Sequence, residues 1–105
     1  MPTYIVLGQF TDQGIRNVKD TSKRADAAKD LAKKLGAKVL DLYWTIGRYD
    51  LALILDAPDD ETMTAFAMSM ASLGNIRTQT LRAFSVNEIN KIVAKLPTAE
   101  VTSTK

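Results

Sequence analysis

Tyr43, Thr45, Asp50 and Arg82 are the side chains best suited to chemistry: a phenol, a hydroxyl, a carboxylate and a guanidinium. Such a set could orient a polar ligand, or carry a proton between Asp50 or Tyr43 and a small substrate. Asp50 could equally pair with Arg48 or Arg82, or accept backbone hydrogen bonds at a turn, because ion pairs also place carboxylates in such positions. The chemistry open to these groups is narrow, since the 105 residues include no histidine and no cysteine. That removes the commonest general base, the usual transition-metal and haem ligand, and any thiol nucleophile. Catalysis would have to use Asp, Glu, Lys, Tyr, backbone groups or a bound cofactor. A metal would need oxygen ligands. Asp56, Asp59, Asp60 and Glu61 invite that reading but lack calcium-loop spacing. Negative charge at the start of a helix explains them better. Asp41 and Asp50 fall too far apart to share a proton or a metal. No metal site and no cofactor is expected.

The elements that position these groups follow from periodicity. Residues 3–10 are dense in β-formers and read as a first strand with apolar residues at both parities. Thr11 can cap a short turn carrying Ile15 and Val18. Ala25, Ala28, Leu31, Ala32 and Leu35 form one stripe of a helix over 22–35, and Gly36 stands where a left-handed C-terminal residue belongs. Residues 39–46 and 49–56 read as strands joined by Gly47-Arg48, a pair suited to a two-residue type II′ turn. The acidic residues after Pro58 open a second long helix with Met63, Phe66, Ala67, Met70 and Leu73 on its apolar stripe. Residues 76–85 form a fourth strand. Ile89, Ile92, Val93 and Leu96 mark a short terminal amphipathic helix over 87–96. The order βαββαβ predicts an α+β, ferredoxin-like domain over 1–97: a four-stranded antiparallel sheet with helices on one face and a short C-terminal helix. A polar tail over 98–105 follows.

A turn at 47–48 pairs Thr45 with Asp50, Trp44 with Leu51, Tyr43 with Ala52, Leu42 with Leu53 and Asp41 with Ile54. Opposed residues share a face. Leu40, Leu42, Trp44, Ile46, Tyr49, Leu51, Leu53 and Leu55 then face the helices. Asp41, Tyr43, Thr45, Asp50, Ala52 and Ile54 face away. A one-residue slip would bury both aspartates, at a cost of several kcal/mol per ion. The first and fourth strands leave two parities open. Leu81 and Ala83 favour one, Ile76 and Phe84 the other, and the face reached by Arg82 depends on the choice.

Several stretches resemble the GYD family. They are Tyr4-Ile5-Val6-Leu7-Gly8 with Phe10-Thr11, Gly14-Ile15-Arg16-Asn17, the signature Gly47-Arg48-Tyr49-Asp50, Ala57-Pro58-Asp59-Asp60, and the long run from Ser72-Leu73-Gly74-Asn75-Ile76 to Phe84. The resemblance implies a dimeric α+β barrel, in which two ferredoxin-like units pack sheet to sheet. It implies no reaction, because the family's biochemistry is uncharacterised.

An open sheet face carrying Ala52 and Ile54 calls for a cover, and no charged residue occurs from Thr62 to Ile76. Both features point to a second copy as partner, in a homodimer or larger homo-oligomer. A binding protein that holds a small molecule between sheet and helices, or at the subunit interface, is the leading expectation. A cofactor-independent enzyme using Asp50 or Tyr43 is the alternative. Nucleic-acid binding through the lysine-rich first helix ranks third. The net charge is only +2, and the third strand offers Asp50, Ala52 and Ile54 where an RNA-binding sheet needs aromatics. The N-terminus has no signal-peptide pattern and no apolar run is long enough to span a membrane, which predicts a cytoplasmic protein.

Overall fold

Tyr4, Val6 and Gly8 alternate with Ile5, Leu7 and Gln9, and that alternation divides the first strand between two environments. In a computed structural model describing residues 1–97, Tyr4, Val6 and Gly8 are buried, Ile5 and Leu7 are half-buried and Gln9 is exposed. The predicted tail, 98–105, lies outside the described residues. The order is β1 (Thr3–Phe10), α1 (Asp12–Arg16), a 3₁₀ turn (Val18–Asp20), α2 (Thr21–Lys34), β2 (Lys38–Trp44), β3 (Leu51–Asp56), α3 (Asp60–Ser72), β4 (Ile76–Ala83) and α4 (Val86–Val93). All pairings are antiparallel, in the sheet order β2-β3-β1-β4. This is the expected ferredoxin-like arrangement. The core lies between one sheet face and the long helices, where Tyr4, Val6, Leu53 and Leu55 meet Ala32, Met63 and Phe66.

Local chemistry sets the helix ends. Thr11 accepts the Gly14 N–H (3.0 Å) and starts α1. Asp59 accepts the Thr62 N–H (2.7 Å) and starts α3, and this bond holds its carboxyl below the usual carboxylate range. Ser85 and Glu88 form a reciprocal capping box at α4. Gly36, after α2, takes φ +83°, as its position requires. The acidic run is thus absorbed structurally: Asp56 accepts the Thr3 hydroxyl (2.6 Å), and Asp60 accepts the buried Tyr4 hydroxyl (2.5 Å).

The Tyr4–Asp60 bond makes stability sensitive to alkali. Hydrogen bonding to Asp60, with burial second, raises the phenol above its ordinary value near 10. In the folded chain the proton is therefore held at a pH where the unfolded chain releases it. The contribution is complete below about pH 10 and is lost as pH rises through the folded value. Tyr4→Phe is expected to flatten the alkaline limb of a plot of urea midpoint against pH; an unchanged slope would contradict this assignment.

The register between Asp41–Trp44 and Leu51–Ile54 is the predicted one. Two departures flank it. A bulge between Val39 and Asp41 inserts Leu40, so Val39 packs on the core and Leu40 is left 43% exposed. The connection at the other end is not a two-residue turn. Only Thr45 N–H to Asp50 O (2.8 Å) prolongs the ladder, and Ile46 is fully exposed rather than in the core. The Thr45 hydroxyl donates to Tyr49 O (2.6 Å) and Gln9 Nε2 to Arg48 O (2.8 Å), so side chains satisfy the loop's carbonyls. Gly47, at φ +115°, supplies the backbone this wider loop needs.

Candidate functional site

Cross-strand register assigns every sheet residue to a face. Val39–Leu55–Tyr4–Arg82, Leu42–Leu53–Val6–Thr80 and Trp44–Leu51–Gly8–Thr78 run along the helix side. Asp41–Ile54–Ile5–Leu81 and Tyr43–Ala52–Leu7–Gln79 run along the open side. Trp44 therefore lies on the helix side and Asp41 on the open side, as the alternation of leucines and aspartates predicts.

Asp50 closes the pairing of β1 with β3. Its N–H donates to Gly8 O (2.8 Å), and its Oδ2 accepts the Phe10 N–H (2.8 Å), beyond the last ladder pair. Removing that acceptor strands a part-buried donor, at a cost of about 1–3 kcal/mol. Asp50→Ala is expected to lose about that much stability in urea unfolding without changing the oligomeric state. A loss within ~0.5 kcal/mol, the range of ordinary surface changes, would deny the carboxylate this role.

Tyr49, like Ile46, is a residue that the expected register misplaced. It was expected beneath the helices. Its hydroxyl instead donates to Gln79 Oε1 (2.6 Å) on β4, across the open face. The wider loop frees Tyr49 from the ladder and lets it reach that far.

The four predicted site residues do not assemble. Tyr43 is 57% exposed on the open face, and Thr45 and Asp50 are engaged in the adjoining loop. Arg82 pairs with Tyr4, which puts it on the helix side at the far end of the sheet. There its guanidinium lies 4.5 Å from the Phe84 ring centroid and 5.7 Å from that of Tyr4, and 3.3 Å from Glu88 Oε2. It also donates to the Thr3 and Ala83 carbonyls. Arg82 thus ties α4 to the sheet. The capping bond from Ser85 and then Arg82 lower the Glu88 carboxyl.

The concave site lies on the other side of the sheet. A cavity of about 460 Å³ separates the sheet from α2 and α3. Leu42, Trp44, Leu51 and Leu53 floor it, Ala25, Ala28 and Leu31 of α2 form one wall, and Met70 of α3 with Leu73 just past its end helps form the other. Small side chains on α2 leave the space open. Gly8 lets the floor close beneath it, since a Cβ there would meet Ile76 Cδ1 at 2.5 Å and Leu51 Cδ1 at 3.0 Å. Polar groups are few: Thr21, Arg24, Ser69, Ser72 and Asn75. Trp44 Nε1–H donates to Thr21 Oγ1 (2.9 Å), and Arg24 donates to Asn17 O (2.9 Å) and Gly14 O (3.4 Å). Neither Asp50 nor Tyr43 lines the cavity. Ser69 and Ser72 border it from α3, while Ala65 and Met68 of the same helix are exposed.

Sequence reasoning allowed for a ligand between sheet and helices but missed the residues that line the space, Arg24 and Thr21 among them. The available signal was the alanine-rich stripe of α2 opposite a glycine in β1. Among the described residues no group of three or more carboxylates is placed to hold a metal ion, and no helix is long and apolar enough to cross a membrane.

A family model described as the GYD domain matches residues 4–93. A protein of Thermus thermophilus named glutamine synthetase and cystathionine beta-lyase binding protein is 32% identical over 90 residues, covering 85% of this chain and 95% of that protein. A crystal structure of a protein from Thermus thermophilus superposes with a TM-score of 0.54 at 26% identity, covering 82% of this chain and 96% of that one.

Proposed function

The chain belongs to the GYD domain family, and from that premise we propose a cytoplasmic, non-catalytic binding protein that acts as a homodimer and docks onto an enzyme. Two copies pack open face to open face, in the manner of dimeric α+β barrels. A small molecule occupies the space between sheet and helices in each.

The single observation that carries this reading is the open face. Ile5, Leu7, Ala52 and Ile54 form its centre, only half-buried in the single chain, and Leu81 beside them is 39% exposed. Monomeric proteins seldom leave a continuous apolar surface of this kind to water. Stacking a second sheet about 10 Å away covers it.

Docking onto an enzyme is supported by the name of the Thermus thermophilus relative, which gives glutamine synthetase and cystathionine beta-lyase as what that protein binds. Pairing through the sheets leaves α3 outward, with Met68 exposed on a helix that carries no charge after Glu61. That surface suits a protein partner. The cavity supports a small-molecule ligand, because its volume and mainly apolar lining are those of ordinary ligand sites.

The test is sedimentation velocity of the labelled protein mixed with purified glutamine synthetase or purified cystathionine beta-lyase. The reading predicts that label moves with one of the enzymes and that Met68→Glu abolishes this comigration. Label that sediments independently of both enzymes at micromolar concentrations would overturn the docking.

A further inference from the structure

We propose that the cavity between the sheet and the long helices binds an amphiphilic anion: a monocarboxylic acid with an unbranched or flat apolar body. This rests on the reading of the chain as a binding protein and names the class of its ligand.

Three of the five polar groups at the cavity gather at one end, while Ser69 and Ser72 border it from α3. Arg24 donates to Gly14 O, and Gly14 packs directly on Asn75, where an added Cβ would stand 1.9 Å from the carbonyl oxygen. Thr21 lies one turn before Arg24 on α2 and accepts from Trp44. Arg24, Thr21 and Asn75 are thus held at the end of the cavity nearest α1.

What these groups still offer is donor capacity. Thr21 has accepted the indole N–H, so its own O–H is free to donate. The guanidinium has five N–H groups and its two bonds to carbonyls leave others for a ligand. Asn75 Oδ1 accepts from Gln13, which leaves its amide N–H groups. No carboxylate lines the cavity, and among the described residues none lies within ion-pair distance of Arg24. An anion supplies the missing charge and accepts from a forked donor, as carboxylates do.

The rest of the lining selects the body. Ala28, Leu31, Leu53 and Met70 surround the remainder of the space with apolar atoms. Burial of aliphatic or aromatic carbon there is favourable, at roughly 25 cal/mol for each Å² removed from water. A compact sugar or nucleotide would find only the Ser69 and Ser72 hydroxyls on the α3 side and would leave most of its own without partners.

Trp44 is the only tryptophan and it lines the cavity, so its fluorescence reports on occupancy. Decanoate titrated into the full chain is expected to shift that emission saturably, with one molecule per chain by calorimetry. 1-Decanol should bind at least tenfold more weakly. Arg24→Gln should bring decanoate down to the level of the alcohol. Ala28→Phe, or Ala25→Phe if the first variant melts early, should abolish binding of both. The proposal is overturned by the absence of saturable fluorescence and heat at millimolar decanoate, by equal affinity for acid and alcohol, or by undiminished binding in the filled variants. Sedimentation of the same samples separates the claims: a pair that ignores decanoate removes the ligand class and leaves the pairing standing.

Discussion

Ile54→Lys is expected to leave the fold intact and to leave the protein a monomer at concentrations where the proposed pairing makes the native chain sediment as a dimer. Ile54 sits in the open-face row between Asp41 and Ile5, next to Ala52 and Leu7 in the adjoining row. In the single chain it is already half-exposed, so a lysine there reaches water and changes stability by about 0.5 kcal/mol or less. Between two stacked sheets the same ammonium would be stripped of water, together with its cross-strand neighbour Asp41. Twofold symmetry would bury two of them, at several kcal/mol each. That exceeds what the remaining apolar contacts could offset. Circular dichroism and melting temperature should match the native protein while the sedimenting mass halves. A mass equal to the native value would show that the open face is not the contact.

Gly14→Ala has the largest expected effect on the fold itself. The new Cβ would lie 1.9 Å from Asn75 O and 2.9 Å from its carbonyl carbon, well inside contact distance. That backbone cannot retreat cheaply. Asn75 O accepts the Thr11 N–H (3.1 Å), and neighbouring Gly74 O accepts the Thr11 hydroxyl (2.6 Å). Thr11 also caps α1. Relief of the clash therefore strains the joint between β1, α1 and the end of α3. Overpacking costs about 1–3 kcal/mol and a damaged cap about 1 more, so about 3 kcal/mol is expected. Gly36→Ala is the control. Its Cβ meets nothing within 4 Å and the cost is the left-handed φ alone, about 1–2 kcal/mol. Urea midpoints should rank native, Gly36→Ala, Gly14→Ala. The reverse order of the two variants would show that close approach to Asn75 is not what requires a glycine at 14.

Much of this architecture is legible from residue order. Aspartates at 41 and 50 flank leucines at 42, 51, 53 and 55, and only one register keeps the former wet and the latter dry. That register set Trp44 beneath the helices and Asp50 away from them. The misses have physical causes. A period of two cannot reveal an inserted residue, so the bulge at Leu40 escaped. Gly47-Arg48 reads locally as a tight turn. The wider loop depends on Gln9 and Gln79, remote in sequence, taking up the Arg48 carbonyl and the Tyr49 hydroxyl. β4 carries Ile76 at one parity and Leu81 at the other, so its pattern could not decide the face of Arg82. Pairing with the buried Tyr4 decides it. The cavity arises where two helices hold apart over a glycine-containing strand, a relation that no single segment records.

The proposed function gives the two sheet faces different tasks, one toward a second copy and the other toward a small molecule. Native mass spectrometry of the protein purified under mild conditions tests both halves at once. Ions of two chains are expected, carrying up to two small negatively charged molecules that leave together with their mass on collisional activation. Ions of a single bare chain, persisting as protein concentration rises and after incubation with decanoate, would contradict this division.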